Sequence, residues 1–280
     1  MKKATPQQRP GSESAMHPDP VSNDLKVAAT PKLKNKVALI TGGDSGIGKA
    51  VAILFAKEGA DIAISYWKEH KDAKDTKTTI EEQYGRKCIL IPGDISNEQH
   101  CKQVIKETIK TFKKINVLVN NAAIHYEAKS LEDITTKHLK HTFEVNIYSM
   151  FFITKYALLH MRKGSSIINT SSVTAYRGSK ALIDYSATKG AIVSFTRSLS
   201  ENLVQKGIRV NGVAPGPIWT PLIVSSFDKK RIKEHGKKAP MQRPGEPVEV
   251  APSYLFLACD DSSYISGQFL HPNGGEIING

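Results

Sequence analysis

The chain has 280 residues, 40% of them hydrophobic and 24% charged, with a formal net charge of +12. That length suits one α/β domain with enough chain to bury a sizeable core, and no apolar run reaches the ~20 residues a membrane helix needs. Cys88, Cys101 and Cys259 stand at no metal-ligand spacing and imply no disulfide framework, so neither a metal site nor a disulfide scaffold is expected and a reducing cytoplasm fits best.

Residues 1 to about 34 are polar, rich in Pro, Ser and Gln, and without sustained apolar period. They read as a poorly ordered extension, and their first ten residues lack the apolar core of a secretion signal. The domain is expected over 35–280. It opens with Val37-Ala38-Leu39-Ile40, a short β-rich run that reads as a buried strand. A glycine turn follows, Thr41-Gly42-Gly43-Asp44-Ser45-Gly46-Ile47-Gly48, and then a helix from Lys49 to a glycine stop at Gly59. Strand, glycine turn and helix form a phosphate cradle: glycines let a pyrophosphate approach the main chain, and the helix N-terminus offers free N–H groups. The spacing, Gly42-x-x-x-Gly46-x-Gly48, differs from the usual dinucleotide fingerprint.

Asp61 to Tyr66 reads as a second strand whose end should meet the adenosine ribose. Lys68 stands just beyond it, where an ammonium would welcome the 2′-phosphate of NADP. The alternative is that Lys68 points to water and cofactor choice is relaxed. A third strand, Lys87 to Pro92, leads to Gly93-Asp94-Ile95; Asp94 either accepts from the adenine amino group or caps the next helix, or both. His100 to Phe112 is amphipathic. Its lysines and their neighbours (Lys102, Lys106, Lys110) sit with Glu107 and read as solvated surface, without the aromatic platform that single-stranded nucleic acid needs.

Ile115 to Val119 is the fourth strand, closed by Asn120-Asn121-Ala122-Ala123. Leu131 to His160 reads as two helices. It contains Asn146, whose amide needs partners if it is buried. Ser165 to Thr170 is the fifth strand, ending at Ser171-Ser172. In the helix that follows, Tyr185 and Lys189 share one face one turn apart. Such a pair is most often surface; with a cation beside it, the phenol ionises more easily and can serve as general acid or base. Ile208 to Val213 is the sixth strand, followed by Pro215-Gly216-Pro217-Ile218-Trp219-Thr220. Residues 222–240 read as a mobile lid whose basic cluster is more simply a solvated face. Pro247 to Cys259 is a helix and Phe269 to Pro272 the last strand.

Strands alternating with helices imply a doubly wound, mostly parallel sheet of seven strands, a single Rossmann-like domain. The order of Thr41–Gly48, Asp94, Asn120-Asn121-Ala122, Asn146, Ser172, Tyr185 with Lys189, and Pro215-Gly216 resembles the short-chain dehydrogenase/reductase family over about 36–280. Ala123 stands where that family often has Gly. The extension looks like that of bacterial members of general-stress or aldehyde-reducing type. The resemblance implies a catalytic set: Tyr185 exchanges a proton with the substrate oxygen, Lys189 lowers the phenol's pKa and holds the nicotinamide ribose, Ser172 binds the substrate oxygen, and Asn146 positions a relay water. It implies cofactor contacts from Thr41, Gly42, Asp44, Ser45, Gly46, Ile47 and Gly48, from Tyr66, Lys68, Asp94 and Ile95, from Asn121 and Ala122, and from Pro215, Gly216, Ile218 and Thr220. NADP is favoured over NAD, with a small carbonyl or alcohol substrate and a homotetramer or homodimer. Two other classes remain: a cofactor-sensing protein with vestigial catalysis, and, last, a nucleic-acid binder drawn by the positive charge.

Overall fold

The computed structural model describes residues 31–278, and the expectations for residues 1–30 fall outside that range. Seven parallel strands form one sheet in the order β3-β2-β1-β4-β5-β6-β7. They are β1 (Val37–Thr41), β2 (Asp61–Tyr66), β3 (Cys88–Pro92), β4 (Val117–Asn120), β5 (Ser166–Thr170), β6 (Arg209–Val213) and β7 (Phe269–Leu270). Between them run α1 (Gly46–Lys57), α2 (His70–Tyr84), α3 (Glu98–Phe112), α4 (Thr136–Phe143), α5 (Ser149–Ala157), α6 (Thr174–Arg177), α7 (Ile183–Leu203), α8 (Pro221–Ser226), α9 (Lys229–Glu234) and α10 (Pro247–Ala258).

Alternation along β1 builds two cores. Ala38 and Ile40 join one cluster with Phe55 of α1 and Tyr254 of α10, whereas Leu39 joins another with Ile105 of α3 and Ile153 of α5. Successive side chains of a strand point to opposite faces, so both faces of this sheet are covered by helix, and all of β1 is buried.

Polar residues inside the sheet are paired. Asn120 on β4 donates through Nδ2 to Asn169 Oδ1 on β5 (2.9 Å) and to Thr154 Oγ1 on α5 (3.1 Å). Asn169 in turn donates to Thr196 Oγ1 on α7 (2.9 Å). Asn120 thus ties neighbouring strands together. This run of bonds ties β4 and β5 to α5 and α7, two helices on the same face of the sheet, at the depth where the strands end.

Three boundaries differ from the sequence reading. Leu33, expected in the extension, is wholly buried in the α1 core, and its N–H reaches Glu58 O at 2.8 Å. The two helices expected across 131–160 are one continuous run, α4 and α5 joined by a π turn at Glu144–Tyr148. The last strand pairs only at Phe269 and Leu270; Pro272 has no N–H to give a ladder. Among the described residues no helix is long and apolar enough to cross a membrane, and no cluster of potential metal ligands forms.

Candidate active site

The strand order reverses between β1 and β4, both of which begin crossovers to opposite sides of the sheet. A cleft of about 910 Å³ opens there, beyond the C-terminal ends of the strands. This is where open α/β sheets bind ligands, and the volume lies at the upper end of ordinary small-molecule sites, roughly 300–1,000 Å³.

The glycine turn forms one wall. Gly42 and Gly46 have φ of 64° and 52°, the left-handed region that side chains rarely enter. Ser45 is the N-cap of α1 and its hydroxyl makes no cap bond, and the first turn carries no acid. The N-terminus of α1 is therefore open to an anion. Asp44, Ser45, Gly46 and Ile47 line the cleft, but two expected residues do not. Thr41 faces inward: its Oγ1 accepts from Asn121 N (3.0 Å) and Ala122 N (3.1 Å), tying the end of β1 to the end of β4. Gly48 is buried, and a Cβ there would collide with the Gly42 carbonyl, so this glycine lets α1 press against the turn. Both serve the shape of the cradle rather than its surface.

Along the far end of the cleft lie Tyr66, Lys68, Asp94 and Ile95. Lys68 is exposed, with Nζ 4.2 Å from the centre of the Trp67 ring. Glu69 and Asp72 share this wall, so its charge is mixed. Asp94 accepts from Ser96 N at 2.9 Å, while the cap of α3 is Asn97, which accepts from Gln99 N and His100 N. Asn121 donates to Thr41 O (3.1 Å) and Gly42 O (3.3 Å), and with Ala122 it lines the middle of the cleft. Pro215, Gly216, Ile218 and Thr220 close the other side.

Ser172, Tyr185 and Lys189 converge on this middle section. Lys189 is 2% exposed; its Nζ donates to Thr170 O at 2.8 Å and stands 5.3 Å from the centre of the Tyr185 ring. Ser172 Oγ accepts from Thr174 N at 3.2 Å.

Burial opposes the expected effect of the cation on the phenol. Burial pushes the Tyr185 phenol up, from 10 to about 12, with the Ser172 hydroxyl pulling the other way. Burial also pulls the Lys189 ammonium down to about 7. The rise at Tyr185 corresponds to roughly 3 kcal/mol. A full positive charge ~5 Å away returns about the same at an effective dielectric of ~20. A charged Lys189 therefore offsets the effect of burial on the phenol.

Asn146 does not line the cleft. Its Oδ1 accepts from Ile124 N (2.9 Å), and its Nδ2 donates to Ile124 O (2.9 Å) and Thr188 Oγ1 (3.1 Å). The amide has the partners its burial demands. It clamps the loop after β4 onto α7, one residue before Lys189.

Helices α8 and α9 occupy the expected lid region, and Pro221 to Ser225 line the cleft. Arg231 on α9 pairs with Glu127 and lies over the Phe227 ring at 4.0 Å. Phe227 in turn packs on His125, ring centres 5.1 Å apart. His125 stands 5.2 Å from Tyr185, edge to face. Neither His125 nor Phe227 carries a local sequence signal, because their meeting depends on the tertiary path of two loops. Ile124, His141 and Thr170 also line the cleft without having been singled out.

A family profile described as enoyl-(acyl carrier protein) reductase matches residues 42–276, from the glycine turn to beyond the last strand. The chain belongs to the short-chain dehydrogenase/reductase family. Two relatives are similar over nearly the full length. An NADPH-dependent aldehyde reductase 1, chloroplastic, from Arabidopsis thaliana is 52% identical, covering 97% of this chain and 96% of the relative. A glucose and ribitol dehydrogenase from Daucus carota is 51% identical, covering 97% and 95%. Among solved structures, a short-chain dehydrogenase from Burkholderia cenocepacia in complex with NADP superposes with a TM-score of 0.82 at 31% identity, covering 87% of this chain and 98% of that one. As a short-chain dehydrogenase/reductase the chain is an NAD(P)-dependent oxidoreductase.

Proposed function

We propose that this short-chain dehydrogenase/reductase reduces aldehydes or ketones with NADPH, with Tyr185, Ser172 and Lys189 as catalytic residues and Asn146 as a positioning residue. The observation that carries the reading is the convergence of those three side chains in a cleft whose adjoining wall is a glycine turn and an open helix N-terminus. That wall fits a dinucleotide: a free N-terminus for the pyrophosphate, small residues Ala122, Pro215 and Gly216 for the flat nicotinamide, and Lys68 at the far end for a 2′-phosphate. The NADP-bound structure from Burkholderia cenocepacia and the NADPH-dependent reductase from Arabidopsis thaliana support the same choice.

When bound, the nicotinamide supplies the hydride. The chain supplies the proton and the stabilisation of charge. A phenol held near 12 is protonated at neutral pH and is placed to donate to the carbonyl oxygen as negative charge gathers there. Ser172 hydrogen-bonds the same oxygen. The phenolate left on Tyr185 is stabilised by Lys189 when that group is charged, and Lys189 is anchored for the purpose on Thr170 O. Because burial sets Lys189 at about 7, the reductive kcat/KM should fall as pH rises through that value.

The test is Tyr185→Phe. Turnover of a carbonyl panel should drop by about 10²–10⁴-fold while NADPH still binds, as read by its fluorescence. Full turnover in that variant would remove the proposed proton donor. Tight NADPH binding by the parent with no turnover of any carbonyl would favour the sensing alternative.

A further inference from the structure

His125 is 5% exposed, yet its Nδ1 is buried without a hydrogen-bond partner among the described residues. Such an atom costs about 1–3 kcal/mol if nothing ever meets it, and folded proteins leave few of them. Its position is not loose. The residue before it is gripped at both backbone polar atoms by Asn146. Two residues on, Glu127 is tied to Arg231, and Ala128 N reaches Ala181 O at 3.1 Å. The loop is thus fixed on either side of a side chain with an unmet nitrogen, and that side chain packs against the Tyr185 ring.

The imidazole stands just off the wall of the open cleft, under Phe227. Burial and the cations Arg231 and Lys189 hold it well below the ordinary histidine range, at about 4, so it is neutral at physiological pH. A neutral imidazole offers one N–H and one lone pair. That combination suits a hydroxyl, which both gives and takes, better than a carboxylate or an ammonium. With its centre 5.2 Å from that of the Tyr185 ring, the imidazole neighbours the residue that would receive the carbonyl.

Resting on the proposed reading of Tyr185 as proton donor, we propose that His125 is a specificity-determining residue that hydrogen-bonds a hydroxyl next to the reacting carbonyl, so that the substrate class is hydroxylated aldehydes and ketones. The substrate hydroxyl approaches in the plane of the imidazole and meets the nitrogen that has no protein partner among the described residues. A plain aldehyde leaves that nitrogen unmet. Sites built around a buried polar group discriminate against analogues that lack the matching oxygen.

The test compares D-glyceraldehyde with propanal, which has the same carbon count and no hydroxyls, by following NADPH consumption. The parent enzyme should show a higher kcat/KM for glyceraldehyde. His125→Leu should lower the glyceraldehyde-to-propanal ratio by roughly tenfold to a hundredfold, and His125→Gln, which keeps a donor and an acceptor, should restore part of it. A role confined to packing would depress both substrates alike; an unchanged ratio in His125→Leu overturns the proposal, as does a parent enzyme that prefers propanal. Those failures differ from failure of the proton-donor reading, which would appear as an unimpaired Tyr185→Phe on either substrate. Thermal melts of both His125 variants establish that each is folded before the ratio is read.

Discussion

Lys189 concentrates the energetic tension of the site. Its folded-state pKa is depressed by burial to about 7, below the ordinary 10.5. Below pH 7 the group is charged both folded and unfolded, and the folded state bears the whole cost of burying it. Between about 7 and 10 folding expels the proton, and above that window the cost is gone. Stability contributed through this group should therefore rise with pH. In cofactor-free protein, Lys189→Met removes the charge but leaves Thr170 O without its donor. The variant's Tm relative to the parent should improve by several degrees between pH 9.5 and pH 6, since the burden is of the order of a few kcal/mol. A parent–variant difference that is flat with pH would show that the lysine is not discharged by burial. A second residue-scale prediction concerns coenzyme choice. Lys68→Ala should lower kcat/KM for NADPH by about tenfold and leave NADH nearly unchanged, because an exposed ammonium acts only on the extra phosphate. The spacing of Tyr185 and Lys189 was legible as a shared helix face. The burial that opposes the cation there was not, because burial is a tertiary quantity that no local pattern carries. For the same reason Thr41 read as a cofactor contact: its neighbours in sequence are glycines, but its hydroxyl is used 80 residues away on Asn121.

At the scale of elements, alternation and glycine placement carried most of the fold into view. β1, α1 and β2 are where Val37–Ile40, the glycine turn and Asp61–Tyr66 predict them. Fully apolar runs such as Ile167-Ile168 and Val117-Leu118-Val119 mark strands covered on both faces, and the order of helices and strands then fixes a parallel sheet. The segment 131–160 was harder. A π turn keeps the chain helical and leaves no Gly or Pro to announce it. Asn146 was the only clue, as a polar side chain in an apolar helix, and its partners lie on the loop after β4 and on α7. Asn146→Ala should cost about 1–3 kcal/mol in denaturant unfolding, since both backbone atoms of Ile124 lose a buried partner. The larger kinetic effect should be on kcat, because the Ile124 loop and Lys189 would lose their common tie. An Asn146→Ala protein with parental stability would mean that the loop finds other partners.

Across the whole molecule, the cleft lies at one end of the sheet and the closure of the fold at the other. Leu33 packs with Phe55 and Ala60 before β1 begins, and its N–H is held by Glu58 O. A boundary drawn where the polar extension gives way to the first strand misses this residue, because one leucine among lysines shows no period. Leu33→Ala should destabilise by about 2–5 kcal/mol on thermal or urea unfolding, the range for truncating a buried leucine. Its effect on the KM for NADPH should be small, since the site is built from the opposite strand ends. An unfolding midpoint equal to the parent's would place the true start of the fold at β1.

The π turn at Glu144–Tyr148 sets the phase of everything after it. One added residue turns a helical face by ~100°. Upstream, Thr142 meets Asp184 near the start of α7; downstream, Thr154 meets Asn120 at the end of β4. The widened turn lies between these two threonines and so sets the angle between the directions in which they point. Deleting a single amino acid within that widened coil would leave the coil helical and swing its downstream half out of alignment with the sheet, so this stretch should tolerate exchange of letters far better than any change in their number.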